Sequence, residues 1–256
     1  MLKYNFFYFL TIGFLLFLCS CVSKKDLLYL QDIQAFDNSE VISSKNNLQE
    51  NDILKIDIGS EEASASIPYN RAKSVNNFGN SLDLLQINGY LVSSKKTINF
   101  PILGEISVAD KTTEDLEQYL KEFLESKGYL INPTVRVRLL NSKVTILGEV
   151  KKPGTYTFIE KNISLLQALG LAGDLTIEGS RKNVIVIRES NGQRTTINLD
   201  LTSAAWLSGI YQNIQPNDVI IVNPNRKKIK SAGLIGNIST ALSIASILLS
   251  TIILIK

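Results

Sequence analysis

Several residue types on which common active sites depend are missing from this chain of 256 residues. It contains no histidine, which excludes Ser-His-Asp and Cys-His nucleophile arrangements, the HExxH zinc site and the commonest metal ligand. It also contains no GxGxxG or GxxxxGKS/T phosphate-binding loop. Its two cysteines, Cys19 and Cys21, lie near the N-terminus, so no disulfide framework is possible beyond them. We therefore predict a protein without a metal or a cofactor.

The charged residues give no sign of catalysis or of nucleic-acid binding. Two carboxylates could in principle form a glycosidase pair. The adjacent acidic residues at 61–62 and 114–115 are, however, typical of a solvated loop and of a helix start, and we predict no catalytic residue. Basic residues number 27 against 24 acidic ones, and removal of Lys3 with a leader leaves a net charge of +2. So small a net charge does not indicate a nucleic-acid partner.

The first 20 residues have the pattern of a secretory signal peptide. Lys3 supplies the positive charge, and residues 6–18 form an apolar run that is too short to span a bilayer comfortably. We predict that residues 1–20 are removed on export and are not part of the mature fold.

The signal peptide leads into the sequence Leu-Cys-Ser-Cys at 18–21. This sequence resembles the bacterial lipobox, in which a small residue precedes the cysteine that receives lipid. The resemblance implies lipidation of Cys21, because a bulky leucine precedes Cys19. Val22 follows, where an aspartate retains many Gram-negative lipoproteins in the inner membrane, so the resemblance implies the outer membrane of a Gram-negative bacterium.

The C-terminal tail carries no charge from residue 231 to 255. A helix over residues 233–255 would be about 34 Å long, enough to cross a hydrocarbon core of about 30 Å. Small and polar residues recur on one side of this helix, with Ile247 intruding among them. They are Gly236, Ser239, Thr240, Ser243, Ser246 and Ser250. This stripe predicts either one wall of a shared pore or an ordinary single-pass anchor.

Two groups of basic residues admit two interpretations each. The group that precedes the tail is a basic collar at the membrane interface, or it contacts lipid phosphates or an anionic glycan. It comprises Arg226, Lys227, Lys228 and Lys230. Arg136 and Arg138 alternate with apolar residues, which predicts a solvated strand face or, alternatively, a face that contacts a glycan.

The mature chain is predicted to have an α+β fold with two successive units, each a hairpin followed by a helix and a strand. The first helix is expected to start after Thr112 or Thr113 and to bury Leu116, Leu120, Phe123 and Leu124. The second helix is expected to start after Asn162 or Ser164 and to pack through Leu165, Leu166, Leu169 and Leu171. The polar residues 60–85 predict a long loop. The predicted boundaries are signal peptide 1–20, lipidated leader 21–47, first unit 48–141, second unit 142–225, and basic collar with tail 226–256.

The order of motifs resembles one known family. Residues 51–56 match its GD-x-L-x-I element, residues 100–106 its P-x-x-G-x-I/V element, and residues 132–137 its D/N-P-x-V-x-V element. The first unit therefore resembles a polysaccharide export domain, and residues 144–173 resemble the start of an SLBB domain with a β-grasp fold. The mature chain as a whole resembles the outer-membrane polysaccharide export lipoproteins of the Wza type. It departs from them in having Asn51 in place of glycine and one SLBB unit in place of two.

This resemblance implies a ring of identical subunits, each giving one tail helix to a channel that exports capsular or extracellular polysaccharide. It implies partners of four kinds: further copies of the chain, the polysaccharide, outer-membrane lipid and the inner-membrane polysaccharide co-polymerase. The alternative is a membrane-anchored periplasmic adaptor that binds glycan and forms no pore. A carbohydrate-active enzyme is a third interpretation, which the absence of histidine weakens.

Overall fold

The computed structural model describes residues 24–35, 46–71, 89–190 and 192–231, and in the tail residues 242–244, 246–247 and 250–251. The described residues form two separate hydrophobic cores. One core is built from residues between 48 and 137, and the other from residues between 144 and 222. Helices and largely antiparallel sheets coexist in both units, which confirms the predicted α+β class.

The first unit is organised around strand β1 (Ile53–Gly59), whose residues alternate between buried and exposed. β1 lies between β2 (Tyr90–Leu91) and β5 (Thr134–Leu139) in an antiparallel sheet. Strands β3 (Thr97–Phe100) and β4 (Gly104–Ser107) form a separate hairpin. The predicted alternation is confirmed, because one face of each strand packs on the core while the other meets solvent.

Part of the predicted long loop is helical. A single turn, α1 (Ala63–Ser66), is followed by a 3₁₀ turn at Ile67–Tyr69. Asn70 fixes this segment to β1, since its side-chain oxygen accepts from the backbone N–H of Ile58 at 2.9 Å and its side-chain nitrogen donates to the Ile58 carbonyl at 2.8 Å. Such a long-range contact is not visible in local composition, so the prediction of a loop was wrong over these residues.

Helix α2 (Thr113–Ser126) covers the sheet of the first unit and starts where the sequence predicted. The Thr112 hydroxyl accepts from the Asp115 N–H at 3.2 Å, and the Asp115 carboxylate accepts from the Thr112 N–H at 3.0 Å. This reciprocal capping satisfies two N–H groups that the helix leaves unpaired. The residues that the helix buries are Leu116, Leu120 and Leu124.

Phe123 does not belong to the buried stripe, and this part of the prediction was wrong. Its ring lies at the flank of the helix in a row of aromatic side chains, 6.0 Å from the ring of Tyr119 and 6.4 Å from that of Tyr129. Three residues one turn apart already fill the space between the helix and the sheet, so the fourth apolar residue turns sideways.

The second unit contains a five-stranded sheet in the order β10-β9-β12-β6-β7. Its strands are β6 (Lys143–Gly148), β7 (Gly154–Thr157), β9 (Gly179–Ser190), β10 (Gln193–Leu199) and β12 (Val219–Pro224). β12 pairs antiparallel with β9 and parallel with β6, and the other pairs are antiparallel. The last strand in the sequence therefore lies in the middle of the sheet.

Helix α3 (Leu165–Leu171) packs on this sheet and is preceded by β8 (Ile163–Ser164), which pairs with β11 (Asn213–Ile214). Ser164 and Gln167 form a second capping box, which decides between the two predicted start residues. Leu165 and Leu169 are buried, whereas Leu166 and Leu171 are exposed, so the predicted packing of the latter two was wrong. The helix has two turns and offers a single narrow face to the core.

Candidate functional site

The leader docks on the second unit. Leu30 donates its N–H to the Leu201 carbonyl at 3.1 Å, and Gln31 donates to the Thr202 carbonyl at 2.7 Å. The Tyr29 hydroxyl donates to the Asp174 carboxylate at 2.5 Å. Burial and this carboxylate raise the pKa of Tyr29, so the phenol stays protonated as the donor. The described part of the leader thus docks on the body of its own chain.

The start of the leader lies beside the start of the tail. The Lys182 ammonium is 2.8 Å from the Asp26 carboxylate in an exposed ion pair. Lys182, and more weakly Arg226 and Lys227, hold the pKa of Asp26 below its usual value. The backbone N–H of Asn225 donates to the Glu178 carbonyl, and Glu178 lies four residues before Lys182, at the start of strand β9. The described starts of the leader and of the tail segment therefore contact the same corner of the second unit.

Helix α4 (Arg226–Ser231) begins the tail and is fixed to the second unit at its first turn. The Asn225 side-chain oxygen accepts from the N–H groups of Lys227 and Lys228 at 3.1 and 3.0 Å, and its backbone N–H donates to the Glu178 carbonyl at 2.7 Å. Lys228 turns back to the Glu178 carboxylate, with Glu149 at 4.0 Å. One residue of the predicted collar therefore contacts protein carboxylates, while Arg226, Lys227 and Lys230 are exposed.

In the described part of the predicted polar stripe, Ser246 and Ser250 hydrogen-bond to carbonyls of the tail helix itself. The Ser246 hydroxyl donates to the Ser243 carbonyl at 2.9 Å, and Ser250 donates to the carbonyls of Ser246 and Ile247, both at 2.9 Å. Gly236, Ser239 and Thr240 lie outside the described residues. Within the described residues, no helix has the length and apolar character needed to cross a membrane. The membrane helix stays a prediction.

Two turns in different units share one structure and one sequence, Gln-x-Asn-Asp. They occupy residues 49–52 before β1 and 215–218 before β12. In each turn, the aspartate carboxylate accepts a hydrogen bond from the backbone N–H of the glutamine at 2.8 Å. The backbone N–H of the aspartate donates to the backbone carbonyl of the glutamine at 3.2 Å. Asn51 and Asn217 have φ angles of 68° and 69°, a conformation that asparagine tolerates better than most residues. We call these the twin turns.

The twin turns differ in the side chain that lies opposite the buried aspartate. Asp218 accepts three charge-assisted contacts from Arg188 on β9, two from Nε at 3.0 and 3.2 Å and one from a terminal nitrogen at 2.7 Å. Extending the β1–β5 register by two residues places Asn141 opposite Asp52, just as extending the β12–β9 register by one residue places Arg188 opposite Asp218. The Asn141 amide is engaged with the backbone, accepting from Ile53 at 2.9 Å and donating to Asn51 at 2.8 Å. No lysine or arginine in the described residues pairs with Asp52.

Both twin turns line one cavity of about 230 Å³ between the two units, which we call the junction cavity. Asp52 is only 4% exposed there, and burial raises the pKa of its carboxyl to about 6. Ser142, which links the units, is also buried against the cavity. In the part of the chain that the structure describes, no group of histidine, cysteine and carboxylate side chains could hold a metal ion.

Comparison with known protein families identifies both units. Residues 41–140 match the family described as polysaccharide biosynthesis/export protein, and residues 143–198 match the SLBB domain. Together the two matches cover more than half of the chain, in the predicted order. The chain belongs to the polysaccharide export family. Members of this family are transporters rather than enzymes, which confirms the prediction of a protein without catalytic activity.

Similar proteins include two named EPS I polysaccharide export outer membrane protein EpsA. The protein from Ralstonia nicotianae is 27% identical over 139 residues, and that from Ralstonia solanacearum is 25% identical over 140 residues. Each match covers 53% of this chain but 34% and 36% of the two relatives. The matched part of the chain thus spans about a third of the length of these export proteins.

The backbone conformation of Asn51 explains one departure from the family pattern. Asn51 stands where the resembling families have glycine, and its φ of 68° lies in the left-handed region that favours glycine. Asparagine is the side chain that best replaces glycine there, so the turn is retained. The pairing of Asp52 with the turn was not predicted. The repeated Gln-x-Asn-Asp sequence was the available signal for it.

The predicted site residues of this export-family chain fall into three groups. Cys21 and the first half of the tail stripe lie outside the described residues. Arg136 and Arg138 are exposed on the outer face of β5, and Arg138 also lines the junction cavity. Trp206 packs in the second core, so its ring does not form an exposed surface on which a sugar could stack.

Proposed function

We propose that this chain is the subunit of an outer-membrane channel that exports capsular or extracellular polysaccharide. Identical subunits form a ring, and each gives its tail helix to a pore. Cys21 carries lipid, and most of the chain lies in the periplasm. Membership of the export family and the outer-membrane names of the similar proteins support this proposal.

The observation that carries the proposal is the shared corner at which leader and tail leave the second unit. Asp26 pairs there with Lys182, and Asn225, which directly precedes α4, donates its backbone N–H to the Glu178 carbonyl. Cys21 precedes Asp26 by five residues, a distance of at most about 18 Å along an extended chain. A lipid on Cys21 and a helix that follows α4 can therefore enter the same membrane from one subunit.

Strand β12 supports one direction of the subunit relative to that membrane. Its first residue, Val219, follows the twin turn at the junction cavity, and its last residue, Pro224, precedes α4 and the tail. Six residues of strand span about 20 Å. The second unit thus separates the first unit from the membrane, and we assign the first unit to the periplasmic end, where the inner-membrane polysaccharide co-polymerase would dock.

A ring explains why the tail carries a polar stripe in addition to a lipid anchor. A large hydrated polymer cannot cross hydrocarbon, so its path must be enclosed by protein. Helices that present small residues can pack closely against neighbours, and their serine hydroxyls suit a water-filled lumen. Export itself involves no covalent chemistry, and the driving force would come from the inner-membrane machinery.

One observation favours a second candidate, a membrane-anchored glycan-binding adaptor without a pore. Ser246 and Ser250 bond to carbonyls of their own helix, so this part of the stripe needs neither water nor a neighbouring helix. Such a helix is tolerated in lipid as a single anchor.

Reconstitution of the purified lipidated chain into planar bilayers distinguishes the two candidates. The channel proposal predicts stepwise conductance from an oligomer that is stable in detergent. The matched control is the chain truncated after residue 231, which retains both described units and lacks the tail. A full-length chain that stays monomeric and gives no conductance above this control would leave the adaptor as the better account.

A further inference from the structure

The twin turns provide an internal reference for what Asp52 lacks. Both aspartates are buried, at 4% and 1% exposure, and both accept from the glutamine of their own turn. In the second unit, the Arg188 guanidinium neutralises Asp218. In the first unit, Asn141 occupies the register position of that arginine and uses its amide on the backbone. Asp52 is thus a buried carboxylate in the same turn geometry as Asp218, but it has no cation in the position of Arg188.

A buried carboxylate without a cation costs stability, so its presence at a cavity indicates a binding role. The junction cavity is acidic overall. Its carboxylates outnumber its cations, and two of them already form ion pairs, Glu114 with Lys161 and Glu189 with Arg194. The charged residues that line it are Asp52, Glu114, Glu160, Glu189, Arg138 and Lys161. A cationic side chain from outside the subunit fits this charge pattern.

We propose that the junction cavity receives the guanidinium group of Arg136 from a neighbouring copy of the chain, with Asp52 as its counter-ion. The contact rests on the ring in the proposed function and gives it a specific interface. One copy supplies the cavity and the next supplies the arginine, so the two surfaces differ. Heterologous contacts of this kind close into rings when the rotation between copies allows it.

The choice of Arg136 follows from the positions of the arginines, all of which lie in described residues. Two are buried, Arg181 and Arg188, and two others already have partners, Arg71 with the Tyr90 ring and Arg194 with the Glu189 carboxylate. Arg138 lines the cavity of its own copy. Arg136 is exposed, and no described carboxylate forms an ion pair with it.

The distance of Arg136 from the membrane in the proposed orientation also suits this contact. In a ring around an axis normal to the membrane, contacting groups of neighbouring copies lie at similar distances from the membrane. Arg136 is two residues along β5 from Arg138, which lines the cavity, so its backbone lies within about 7 Å of that level. Arg226 lies at the opposite end of β12, about 20 Å away, which excludes it.

A double-mutant cycle on self-association tests this contact. The full lipidated chain and the variants Asp52→Asn, Arg136→Gln and the double variant are compared at pH 7.5 in a mild non-ionic detergent. Sedimentation velocity over a concentration series gives the association constant of each. Each single change is expected to weaken association about 30-fold or more, and the double variant to be no weaker than the single ones.

Two control variants and one fold check accompany the cycle. Lys121→Gln and Glu125→Gln remove exposed charges on α2, and both are expected to associate like the unmodified chain. Arg136→Gln alters an exposed side chain, so it tests the contact even if Asp52→Asn were to fold poorly, which circular dichroism would show. An unmodified chain that never associates overturns the ring and this contact together. A chain that associates normally but is insensitive to Arg136→Gln, or shows additive effects, overturns the contact alone.

Discussion

The same aspartate-to-asparagine substitution, made separately in each twin turn, should change the stability of the chain in opposite directions. Asparagine is nearly isosteric with aspartate, and its side-chain oxygen can still accept from the N–H of Gln49 or Gln215. The substitution therefore removes the charge and leaves the turn intact. We expect Asp52→Asn to stabilise the dissociated chain at neutral pH, and Asp218→Asn to destabilise it.

The magnitude for Asp52 follows from its raised pKa. The folded-state pKa of about 6 lies above the reference value of 3.8, so the folded chain holds this proton more tightly. The unmodified chain therefore loses stability as pH rises from about 4 to 6, by up to about 3 kcal/mol. Asparagine does not titrate, so Asp52→Asn should gain up to about 3 kcal/mol above pH 7 and almost nothing at pH 4.

The loss of stability expected for Asp218→Asn follows from its ion-pair partner, Arg188. Asp218→Asn leaves the Arg188 guanidinium buried without a counter-ion, although a carbonyl contact to Asn213 at 2.9 Å and stacking on Tyr211 remain. Removing one member of a buried ion pair typically costs about 3–5 kcal/mol. This loss should persist across neutral pH, because arginine stays charged there.

Urea unfolding of the full chain in a mild detergent, at concentrations where it is dissociated, measures both effects. Trp206 is the single tryptophan and lies in the second core, so its fluorescence follows that unit, while far-ultraviolet circular dichroism follows both. Measurements at pH 4 and pH 7.5 separate the titrating effect from the constant one. An Asp52→Asn chain that is less stable than the unmodified chain at pH 7.5, or that keeps the same pH dependence, would refute this reasoning.

Three further predictions follow from the second unit and the tail. Gly148→Ala should destabilise the second unit by more than about 2 kcal/mol in urea unfolding, because Gly148 has a φ of 88° and an added Cβ would lie 2.1 Å from the Val222 carbonyl oxygen. The control Gly170→Ala places its Cβ in open space on α3 and should be neutral or stabilising. Equal effects of the two substitutions would be inconsistent with this packing. Cys21→Ala should abolish lipid labelling and outer-membrane sorting, and unchanged fractionation with the outer membrane would mean that the tail anchors the chain by itself. Ser243→Leu with Ser246→Leu should impair export and leave membrane insertion intact, and normal surface polysaccharide in this variant would argue against a pore wall.

Local patterns in the sequence predicted most of the regular elements. Alternating apolar residues identified β1 and β5, and the capping residues narrowed each helix start to two candidates, of which the structure has Thr112 and Ser164. These signals are local, since a strand face or a helix cap depends on residues within a few positions of one another. The same reasoning failed for Phe123, because an apolar residue near the edge of a helical stripe can turn to either side.

The candidate site depended on contacts that no local pattern contains. The Arg188–Asp218 pair joins residues 30 positions apart and forms because β12 is inserted between β6 and β9. The leader docks across an even longer separation, with 171 positions between Asp32 and its partner Ser203. Even so, the repeated Gln-x-Asn-Asp turn was visible in the sequence, and only the different surroundings of its two aspartates required the structure.

An image of the detergent-extracted, lipidated particle viewed down its axis tests the central claim most directly. The account predicts a closed ring of identical subunits around an open centre, with the first units at the end away from the detergent belt. Tail helices would line the narrow part inside that belt. Single subunits, or pairs without a central opening, would contradict the export channel.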